Sequence, residues 1–418
     1  MIAWRPAPEG TACAALPGTS QGVIVPRVSD RPLTIFLSAA EASGDAHAAN
    51  LIRAIREAAP QTRFVGVAGD RMAEAGCEVL LDLTHRASML GGALLRAGYY
   101  WRQVRRVRKA IRTIRPDLCI PVDSPAFNWH VAKAGRQAGA KVLYYIAPQV
   151  WAWAPGRVKK LARLTDRVAC ILPFEEEYLR QRGVHATFVG HPIFDGRLER
   201  PPSLPNLVEA WSREAWQVAL LPGSRPAELS GHIGPLIEVA GAILARWPRS
   251  RCLFAVYTEA AAERVRRACL GFHPGRLDVV AGPRAAEEAL SRSHFAAVGS
   301  GTVTVQTAYF GVPMVVFYKT GFFTRALYRL FGWSPRFVRT RYFSLVNILA
   351  GWGAVPELMP WAGDTRPLVQ AVLEAMGELG HLVEMRRNLL ALADPLRVPP
   401  PGSAAGNAAK IAMELLSR

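Results

Sequence analysis

Short, uniformly apolar runs alternate with stretches of helical apolar spacing from residue 34 onward. The helical spacing is clear over residues 45–58, where apolar side chains recur at three- and four-residue intervals. Because a strand that is apolar on both faces must be covered on both, the pattern predicts a parallel sheet between two layers of helices. The predicted strands of the first half span residues 34–40, 63–68, 118–122, 141–146 and 168–172.

A proline-rich break at residues 196–206 interrupts the alternation, which then restarts. Such a break is typical of a linker between domains. The sequence therefore predicts two doubly wound α/β domains, residues 31–200 and 207–418, with a ligand cleft between them at the carboxyl ends of the strands. The last helices of the second domain are candidates to pack back on the first. The predicted strands of the second half span residues 217–221, 252–257, 277–281, 294–298 and 313–318.

The length of the chain limits the number of domains, and the length of its apolar runs limits its relation to a membrane. A chain of 418 residues suggests two domains of roughly 200 residues each. The longest apolar runs, such as residues 312–317, fall far short of the roughly 20 residues that cross a bilayer, so we expect no transmembrane span. Residues 1–30 carry four prolines among scattered Gly, Ser and Thr, and we expect them to form a disordered extension.

The charge balance narrows the choice of partner. The chain has 51 Lys and Arg against 33 Asp and Glu, which gives a net charge of +18. An excess of this size favours an anionic partner, and it leaves nucleic acid, a nucleotide and an anionic lipid surface as alternatives. The choice among these three depends on the local motifs.

The first predicted strand runs into a small, glycine-containing turn before its helix begins. Such a turn exposes backbone N–H groups and lets a ligand approach closely. The alternative is an ordinary helix start capped by Ser43 or Asp45, and the local pattern alone favours this alternative. The candidate ligand-binding residues of the turn are Glu41, Ser43, Gly44 and Asp45.

Asp123 directly follows the apolar strand at residues 118–122. Catalytic groups of α/β enzymes lie at the carboxyl ends of parallel strands, where a carboxylate is able to remove a proton from a substrate hydroxyl. The alternative is a turn or cap residue, because the Asp-Ser-Pro order at residues 123–125 favours turns. The local sequence supports the two interpretations about equally.

Two glycine-containing loops in the second half follow predicted strands. The first offers a guanidinium that pairs with phosphate oxygens, and the second opens a helix whose amides and dipole attract an anion. Neither is a P-loop, because no Lys follows at the required spacing. Two such loops in one α/β domain favour a nucleotide or sugar-nucleotide site. The candidate diphosphate-binding residues are Gly223, Ser224, Arg225, Ser300, Gly301 and Thr302.

Residues 83–116 and 319–341 contain no acidic residue and combine basic with apolar and aromatic side chains. Rings that enter lipid beside cations that meet phosphates describe a membrane contact, which we predict for 319–341 and for 90–109. The alternatives are a solvated helix face, a core helix or a nucleic-acid surface. No recognised nucleic-acid module occurs in the sequence, so no nucleic-acid partner is expected. The predicted membrane-contact residues are Phe322, Phe323, Phe331, Trp333, Arg325 and Arg329.

Several motifs occur together between about residue 33 and residue 359. The most specific are Tyr-Ile-Ala-Pro-Gln-Val-Trp-Ala-Trp at 145–153 and Leu-Pro-Phe-Glu at 172–175. With these motifs the chain resembles the lipid-A-disaccharide synthase family. The members of that family are inverting glycosyltransferases with the two-domain GT-B architecture. Further matching motifs span residues 40–45, 64–69, 122–128, 189–192, 221–225 and 344–351.

The resemblance implies a reaction. A UDP-activated 2,3-diacylglucosamine donates its sugar to the 6-hydroxyl of 2,3-diacylglucosamine 1-phosphate, which forms a β-1,6 lipid disaccharide 1-phosphate and UDP at the inner face of the cytoplasmic membrane. The resemblance also implies Asp123 as the base, Gln306 and Asn347 in the donor site, and His191 on the acceptor side. No metal ion or other cofactor is expected. The oligomeric state is left open, with a homo-oligomer as one alternative.

The chain departs from the family at two positions where acidic residues are usual, Ala126 and Gln306. In GT-B enzymes the second of these carboxylates commonly binds the donor ribose. Gln306 is able to hydrogen-bond a ribose, but without the strength of a charged acceptor. Two other functions therefore remain as alternatives: another GT-B enzyme of UDP-sugars, such as an epimerase, and a catalytically impaired homologue that binds lipid or nucleotide.

Overall fold

The computed structural model describes residues 32–83, 93–152, 155–196, 199–272, 275–319, 341–398 and 401–417. The chain divides into two compact units. Unit 1 contains the described parts of Met1–Trp151, Gly156–Asp195 and Val398–Arg418, and unit 2 contains those of Ala152–Pro155 and Gly196–Arg397. The chain returns to unit 1 after residue 397. The sequence offered the last helices of the second domain as candidates to pack back on the first.

All seven strands of unit 1 run parallel in one sheet. They are β1 (Thr34–Ala39), β2 (Arg63–Val67), β3 (Cys77–Leu81), β4 (Leu118–Val122), β5 (Lys141–Tyr145), β6 (Arg167–Cys170) and β7 (Ala186–Phe188). The order β3-β2-β1-β4-β5-β6-β7 places β4 at the centre, between β1 and β5. Every residue of β4 is buried, as expected for a strand covered on both faces.

Helices cover both faces of this sheet, and each face has its own apolar core. Ile35 and Leu37 of β1 point into one core, and Phe36 between them points into the other. The helices of unit 1 are α1 (Ala42–Ala58), α2 (Asp70–Glu74), α3 (Ala93–Ile114), α4 (Pro125–Gln137), α5 (Val158–Leu164), α6 (Pro173–Arg180) and, near the end of the chain, α15 (Ala404–Leu416). The first core lies between the sheet and the helices α1 and α15, and the second lies between the sheet and α3, α4 and α5.

Unit 2 repeats the same construction with six parallel strands, in the order β10-β9-β8-β11-β12-β13. The strands are β8 (Gln217–Leu221), β9 (Arg251–Val256), β10 (Leu277–Ala281), β11 (Phe295–Gly299), β12 (Met314–Lys319) and β13 (Glu357–Trp361). The helices are α7 (Leu207–Ser212), α8 (Pro226–Arg246), α9 (Glu259–Ala268), α10 (Ala285–Ser291), α11 (Val303–Tyr309), α12 (Leu345–Ala350), α13 (Arg366–Met376) and α14 (Leu379–Ala393). The two parallel sheets confirm the predicted α/β fold class.

Three strands were missing from the sequence prediction: β3, β7 and β13. All three lie at the edges of their sheets. Strand β3 exposes Glu78 and Val79, and β7 has only three residues. Strand β13 contains Pro360, whose missing N–H is tolerated only at an edge or a bulge. A search for uniformly apolar runs finds strands covered on both faces, and it overlooks short or half-exposed edge strands.

Two regions that the sequence singled out lie outside the described residues. These are the expected extension at residues 1–30 and residues 320–340 of the aromatic and basic segment. The predicted membrane contacts Phe322, Phe323, Phe331, Trp333, Arg325 and Arg329 fall in the second region. Where the structure does describe helices, none is both long and apolar enough to cross a membrane.

Candidate active site

Asp123 lies where β4 ends, beside the end of β5. The register pairs Val122 with Tyr145, and the amide of Asp123 donates to the carbonyl oxygen of Tyr145 at 3.0 Å. Asp123 and Ser124 both adopt left-handed backbone conformations, with φ of 50° and 41°. Such conformations cost free energy in residues other than glycine, so the surroundings must impose them. The sharp turn leaves Asp123 half-buried at the carboxyl edge of the sheet.

Asn128 of α4 holds this turn in place. Its fully buried side-chain amide donates to the carbonyl oxygens of Ser38 at 3.1 Å, Val122 at 2.9 Å and Asp123 at 2.8 Å. The hydroxyl of Tyr144 also donates to the carbonyl oxygen of Asp123, at 3.0 Å. These bonds satisfy carbonyls at the strand ends that would otherwise be buried without a donor. The role of Asn128 was missing from the prediction, although an Asn in the first turn after a strand-end loop is a usable signal.

The turn before α1 lies beside the same strand end. The register pairs Ala39 of β1 with Val122 of β4, so Glu41 and Asp123 both follow the ends of adjacent strands. Gly44 packs against this junction, because a Cβ there would lie 3.5 Å from Ala39 Cβ and 3.6 Å from the carbonyl oxygen of Val122. These are ordinary van der Waals distances, so α1 begins in close contact with the two strand ends. The structure thus brings the predicted turn and Asp123 to one edge of the sheet.

Asp45 is buried and binds backbone amides. Its carboxylate accepts from Gly69 at 2.7 Å, Arg71 at 3.0 Å and Met72 at 3.3 Å, at the start of α2. A carboxylate in this place satisfies free amides and interacts favourably with the helix dipole. The structure therefore accounts for Asp45 as a link between α1 and α2, whereas Ser43 in the first turn of α1 is exposed.

His191 is buried just after β7, and its imidazole is neutral. Burial, together with the neighbouring imidazole of His47, lowers the pKa of His191 to about 3. The pKa of His47 is itself lowered to about 4, mainly by burial and also by Arg71. The Nδ1 atom of His191 accepts from the amide of Ile193 at 3.3 Å, so the ring proton is on Nε2. His191 therefore offers a neutral N–H group and no positive charge.

In unit 2, Glu228 holds the predicted loop after β8. Its buried carboxylate accepts from the amides of Ser224 and Arg225, both at 3.2 Å, and pairs with the Arg225 guanidinium at 3.1 Å. Most of the Arg225 side chain is exposed, at 69%. Gly223 has a φ of 99° and lies so close to the Glu228 carboxylate that a side chain there would clash. The loop is thus an ordered turn whose amides already contact an anion.

A buried histidine connects this loop to the end of β12. Nδ1 of His232 lies 2.6 Å from the carbonyl oxygen of Pro222, and Nε2 accepts from the amide of Lys319 at 3.1 Å. Because a carbonyl only accepts and an amide only donates, the ring carries its proton on Nδ1. Burial lowers the pKa of His232 and so favours this neutral form. The sequence prediction identified neither His232 nor Glu228, since their partners are backbone groups that only the fold brings near.

The second predicted loop lies directly beside the first, because β11 pairs with β8. A Cβ on Gly299 would lie 3.2 Å from the carbonyl oxygens of Leu221 and Pro222, so only a glycine fits this approach without displacement. Gly301 has a φ of 141°, which also favours glycine. Residues 300–302 are partly exposed. The structure therefore brings together the two loops of the predicted diphosphate site.

Asn347 lies in a buried polar network at α12. Its side-chain nitrogen donates to the carbonyl oxygen of Val355 and the carboxylate of Glu357, both at 2.9 Å. Its side-chain oxygen accepts from the Val355 amide at 2.9 Å, and the hydroxyl of Ser344 donates to Glu357 at 2.8 Å. Asn347 is thus engaged within unit 2 through both ends of its amide. Gln306 is half-buried on α11, which packs against α12.

The solvent face of α3 is strongly basic. Val104, Val107 and Ile111 bury the opposite face of the helix in the core. Trp101 is 50% exposed near the start of the basic run. Five exposed cations of this face make no ion pair with any acidic side chain in the ranges that the structure describes: Arg102, Arg105, Arg106, Lys109 and Arg112.

Sequence comparisons find close agreement with one family. A family model described as lipid-A-disaccharide synthetase matches residues 35–388. The lipid-A-disaccharide synthase of Geobacter metallireducens is 32% identical over 92% of this chain and 97% of its own length. That of an Anaeromyxobacter species (strain K) is 34% identical over 89% of this chain and 97% of its own length. Each of these two matches therefore spans nearly the whole length of both aligned chains.

Solved structures share the architecture at low sequence identity. S. aureus MnaA in a structure with UDP has a TM-score of 0.57 at 11% identity, with 90% of this chain and 94% of that chain covered. The glycotransferase of kitacinnamycin has a TM-score of 0.55 at 16% identity, with 92% of this chain and all of that chain covered. At these identities the likeness shows the fold alone.

Proposed function

This chain belongs to the lipid-A-disaccharide synthetase family of glycosyltransferases, and from that premise we propose that it transfers 2,3-diacylglucosamine from UDP to 2,3-diacylglucosamine 1-phosphate. The products are the β-1,6-linked disaccharide 1-phosphate and UDP. The observation that carries the proposal is the family match over residues 35–388.

Asp123 is the proposed base. Its carboxylate takes the proton of the acceptor 6-hydroxyl as that oxygen bonds to the anomeric carbon of the donor, while the bond to UDP breaks and the diphosphate leaves with the electron pair. A single displacement of this kind inverts the anomeric configuration. The turn held by Asn128 and Tyr144 supports the role, because it fixes the position of Asp123 before the substrate binds.

Residues 223–225 and 300–302 are the proposed diphosphate site. The exposed guanidinium of Arg225 supports it, since its planar set of N–H donors matches phosphate oxygens. The amides of Ser224 and Arg225 already donate to Glu228, and the amide of Ser300 donates to a carbonyl oxygen of β12 at 3.0 Å. These three amides are therefore already hydrogen-bonded within the protein. We therefore assign the phosphate contacts chiefly to the Arg225 guanidinium, the Ser300 hydroxyl, Gly301 and Thr302.

Other candidate residues take supporting places in the same proposal. Gln306 binds the donor ribose, and Asn347 shapes the neighbouring wall through the network it forms with Glu357. Glu41 lies beside the base on the acceptor side, and His191 is the proposed N–H donor there. No step of the proposed displacement needs a metal ion or another cofactor, because cationic and N–H groups stabilise the leaving diphosphate.

The proposed place of reaction is the inner face of the cytoplasmic membrane. Both proposed substrates carry acyl chains that stay in a bilayer, so the enzyme has to bind its surface. The basic face of α3 supports this, because each cation near an anionic leaflet contributes about 1 kcal/mol and is screened by salt. Trp101 on the same helix packs edge-on against His130, with 5.2 Å between ring centroids. Residues 319–341 are proposed as a further contact.

The test is an assay of the purified chain with UDP-diacylglucosamine and diacylglucosamine 1-phosphate, with products identified by mass. We expect the disaccharide phosphate and UDP in equal amounts. An epimerised UDP-sugar without disaccharide would identify a different UDP-sugar enzyme and overturn the proposal. Binding of UDP with no turnover would identify an impaired homologue and would also overturn it.

A further inference from the structure

Two sequence motifs that the proposed reaction does not use meet in unit 1. Trp151, in the loop after β5, donates its indole N–H to the carboxylate of Glu175 at 2.9 Å. The other oxygen of Glu175 accepts from the amides of Ile171 at 3.2 Å and Leu172 at 3.1 Å. The ring of Phe174 packs edge-on against Trp151, with centroids 5.0 Å apart. One carboxylate therefore joins the motif at 145–153 to the motif at 172–175.

The burial of Glu175 is more than a helix cap requires. Its side chain lies in the first turn of α6 at 1% exposure, and burial raises its pKa to about 7 against the opposing effect of its three N–H donors. An exposed Ser or Asp caps a helix at a lower desolvation cost. The additional partner here is the Trp151 indole, which belongs to a different loop. The contact between the two loops is therefore what distinguishes Glu175 from an ordinary cap.

The loop that carries Trp151 begins beside the proposed base. Because β4 pairs with β5, Asp123 and Ile146 are the first residues beyond two adjacent strand ends. Ile146 has a φ of 59°, so the backbone turns sharply there as it does at Asp123. Residues 146–151 then cross the carboxyl edge of the sheet toward Glu175, which follows β6. The loop is anchored by the sheet at its start and by the indole at its end.

We propose that Glu175 is a positioning residue for the acceptor sugar, because by binding the Trp151 indole it fixes residues 146–151 as a wall beside Asp123. The inference rests on the proposed function, which places the acceptor next to that base. Gln149, exposed in the middle of the wall, offers a polar side chain to sugar hydroxyls. When the wall is loosened, less of the bound acceptor holds its 6-hydroxyl near the carboxylate, while the donor loops of unit 2 are unaffected.

The test varies donor and acceptor separately in steady-state kinetics of the parent, Trp151→Phe, Glu175→Gln and the double variant. Trp151→Phe keeps an aromatic ring beside Phe174 and removes the N–H donor, together with part of the ring volume. We expect each single variant to raise the acceptor KM about ten-fold and to leave the donor KM within about two-fold. In Glu175→Gln one acceptor oxygen remains for N–H donors that lie on both sides of the carboxylate, so the bond to the indole is weakened. We expect the double variant to resemble Trp151→Phe, because without the indole N–H the change at residue 175 has no further contact with Trp151 to remove.

Glu176→Gln is the matched control. Glu176 is the next residue of α6, accepts from the amide of Phe188 at 2.8 Å and pairs with Arg180 at 2.7 Å. Its replacement makes the same change of side chain in the same helix without touching Trp151, so the melting temperature falls while the acceptor KM stays at the parent value.

Three outcomes would count against the inference or its premise. Parallel changes in donor and acceptor KM, or an unchanged acceptor KM in Trp151→Phe, would overturn the inference even though the parent forms the disaccharide. A parent chain without transfer activity would instead overturn the proposed function. If Glu175→Gln does not fold, the kinetics of Trp151→Phe alone decide.

Discussion

The loops after β4 and after β8 are each held by a buried side chain of the helix that follows. That side chain is a hydrogen-bond donor in unit 1 and an acceptor in unit 2. In unit 1, Asn128 donates side-chain N–H groups to three carbonyl oxygens at the strand ends. In unit 2, Glu228 accepts the amide hydrogens of Ser224 and Arg225. Both side chains are buried, and each lies in the first turn of the helix that its loop precedes.

The difference matches the charge at the tip of each loop. A neutral amide beside Asp123 adds no second negative charge near that carboxyl group. A carboxylate suits the loop in unit 2, because it pairs with the guanidinium of Arg225. In both units, the buried side chain that holds the strand-end loop is therefore compatible in charge with the residue that the loop exposes.

Removing the displayed carboxylate tests the unit 1 side of the comparison and has the largest expected effect. In Asp123→Asn, turnover is expected to fall by about two to four powers of ten, because an amide takes no proton from the acceptor hydroxyl. UDP affinity should stay within about three-fold, since the donor loops belong to unit 2. Product mass measures the first and calorimetry the second. Near-normal turnover in a folded variant would refute Asp123 as the base.

Substitutions at Asn128 and Glu228 test whether the two loops depend on opposite hydrogen-bonding groups. Asn128→Asp places a carboxylate against three carbonyl oxygens, so we expect a loss of about 3 kcal/mol or more in the free energy of unfolding. Glu228→Gln keeps one acceptor and loses a pairing to a largely exposed guanidinium, so we expect about 1 kcal/mol. Urea unfolding followed by circular dichroism compares the two. Equal losses would show that the two side chains do not differ in the way described.

The interior of the fold was predictable from the sequence because its strands are apolar on both faces. Strands such as β4 and β8 follow from that pattern alone. Strand β3, with Glu78 exposed at the sheet edge, does not, and neither does β13 with Pro360 inside it. The return of the chain to unit 1 through α15 depends on packing against α1, so the sequence offered it only as a candidate arrangement of the last helices.

The residues of the candidate site also divide into those whose places the sequence predicts and those that only the fold reveals. Asp123 and Arg225 were predictable because each follows an apolar strand, where α/β proteins place functional groups. Asn128 and Glu228 were not, because their partners are backbone carbonyls and amides whose positions exist only in the folded chain. The contact of Trp151 with Glu175 is of the same kind. Strand-end positions therefore point to candidate ligand-binding groups, and the fold is needed to find the residues that hold them in place.

Arg225→Ala tests the unit 2 side of the comparison, with a smaller expected effect. UDP binding should weaken by about 1.5–3 kcal/mol, because charge-assisted hydrogen bonds to phosphate are lost. Uridine, which has no phosphate, serves as the control ligand, and its affinity should not change. Calorimetry measures both ligands. Unchanged UDP affinity in the variant would place the diphosphate elsewhere.

Gln306→Glu has the smallest expected effect and tests whether unit 2 tolerates a second carboxylate near its donor loops. Gln306 is half-buried on α11, just beyond residues 300–302. A carboxylate accepts a hydrogen bond from a ribose hydroxyl more strongly than an amide does, by about 1 kcal/mol or less at a partly exposed site, so UDP affinity should be kept or rise by up to about five-fold. The UDP analogue that lacks the ribose hydroxyls separates this cause from a general change in charge, since it should show no gain. A weaker affinity for UDP, or an equal gain for the analogue, would mean that residue 306 does not contact the ribose.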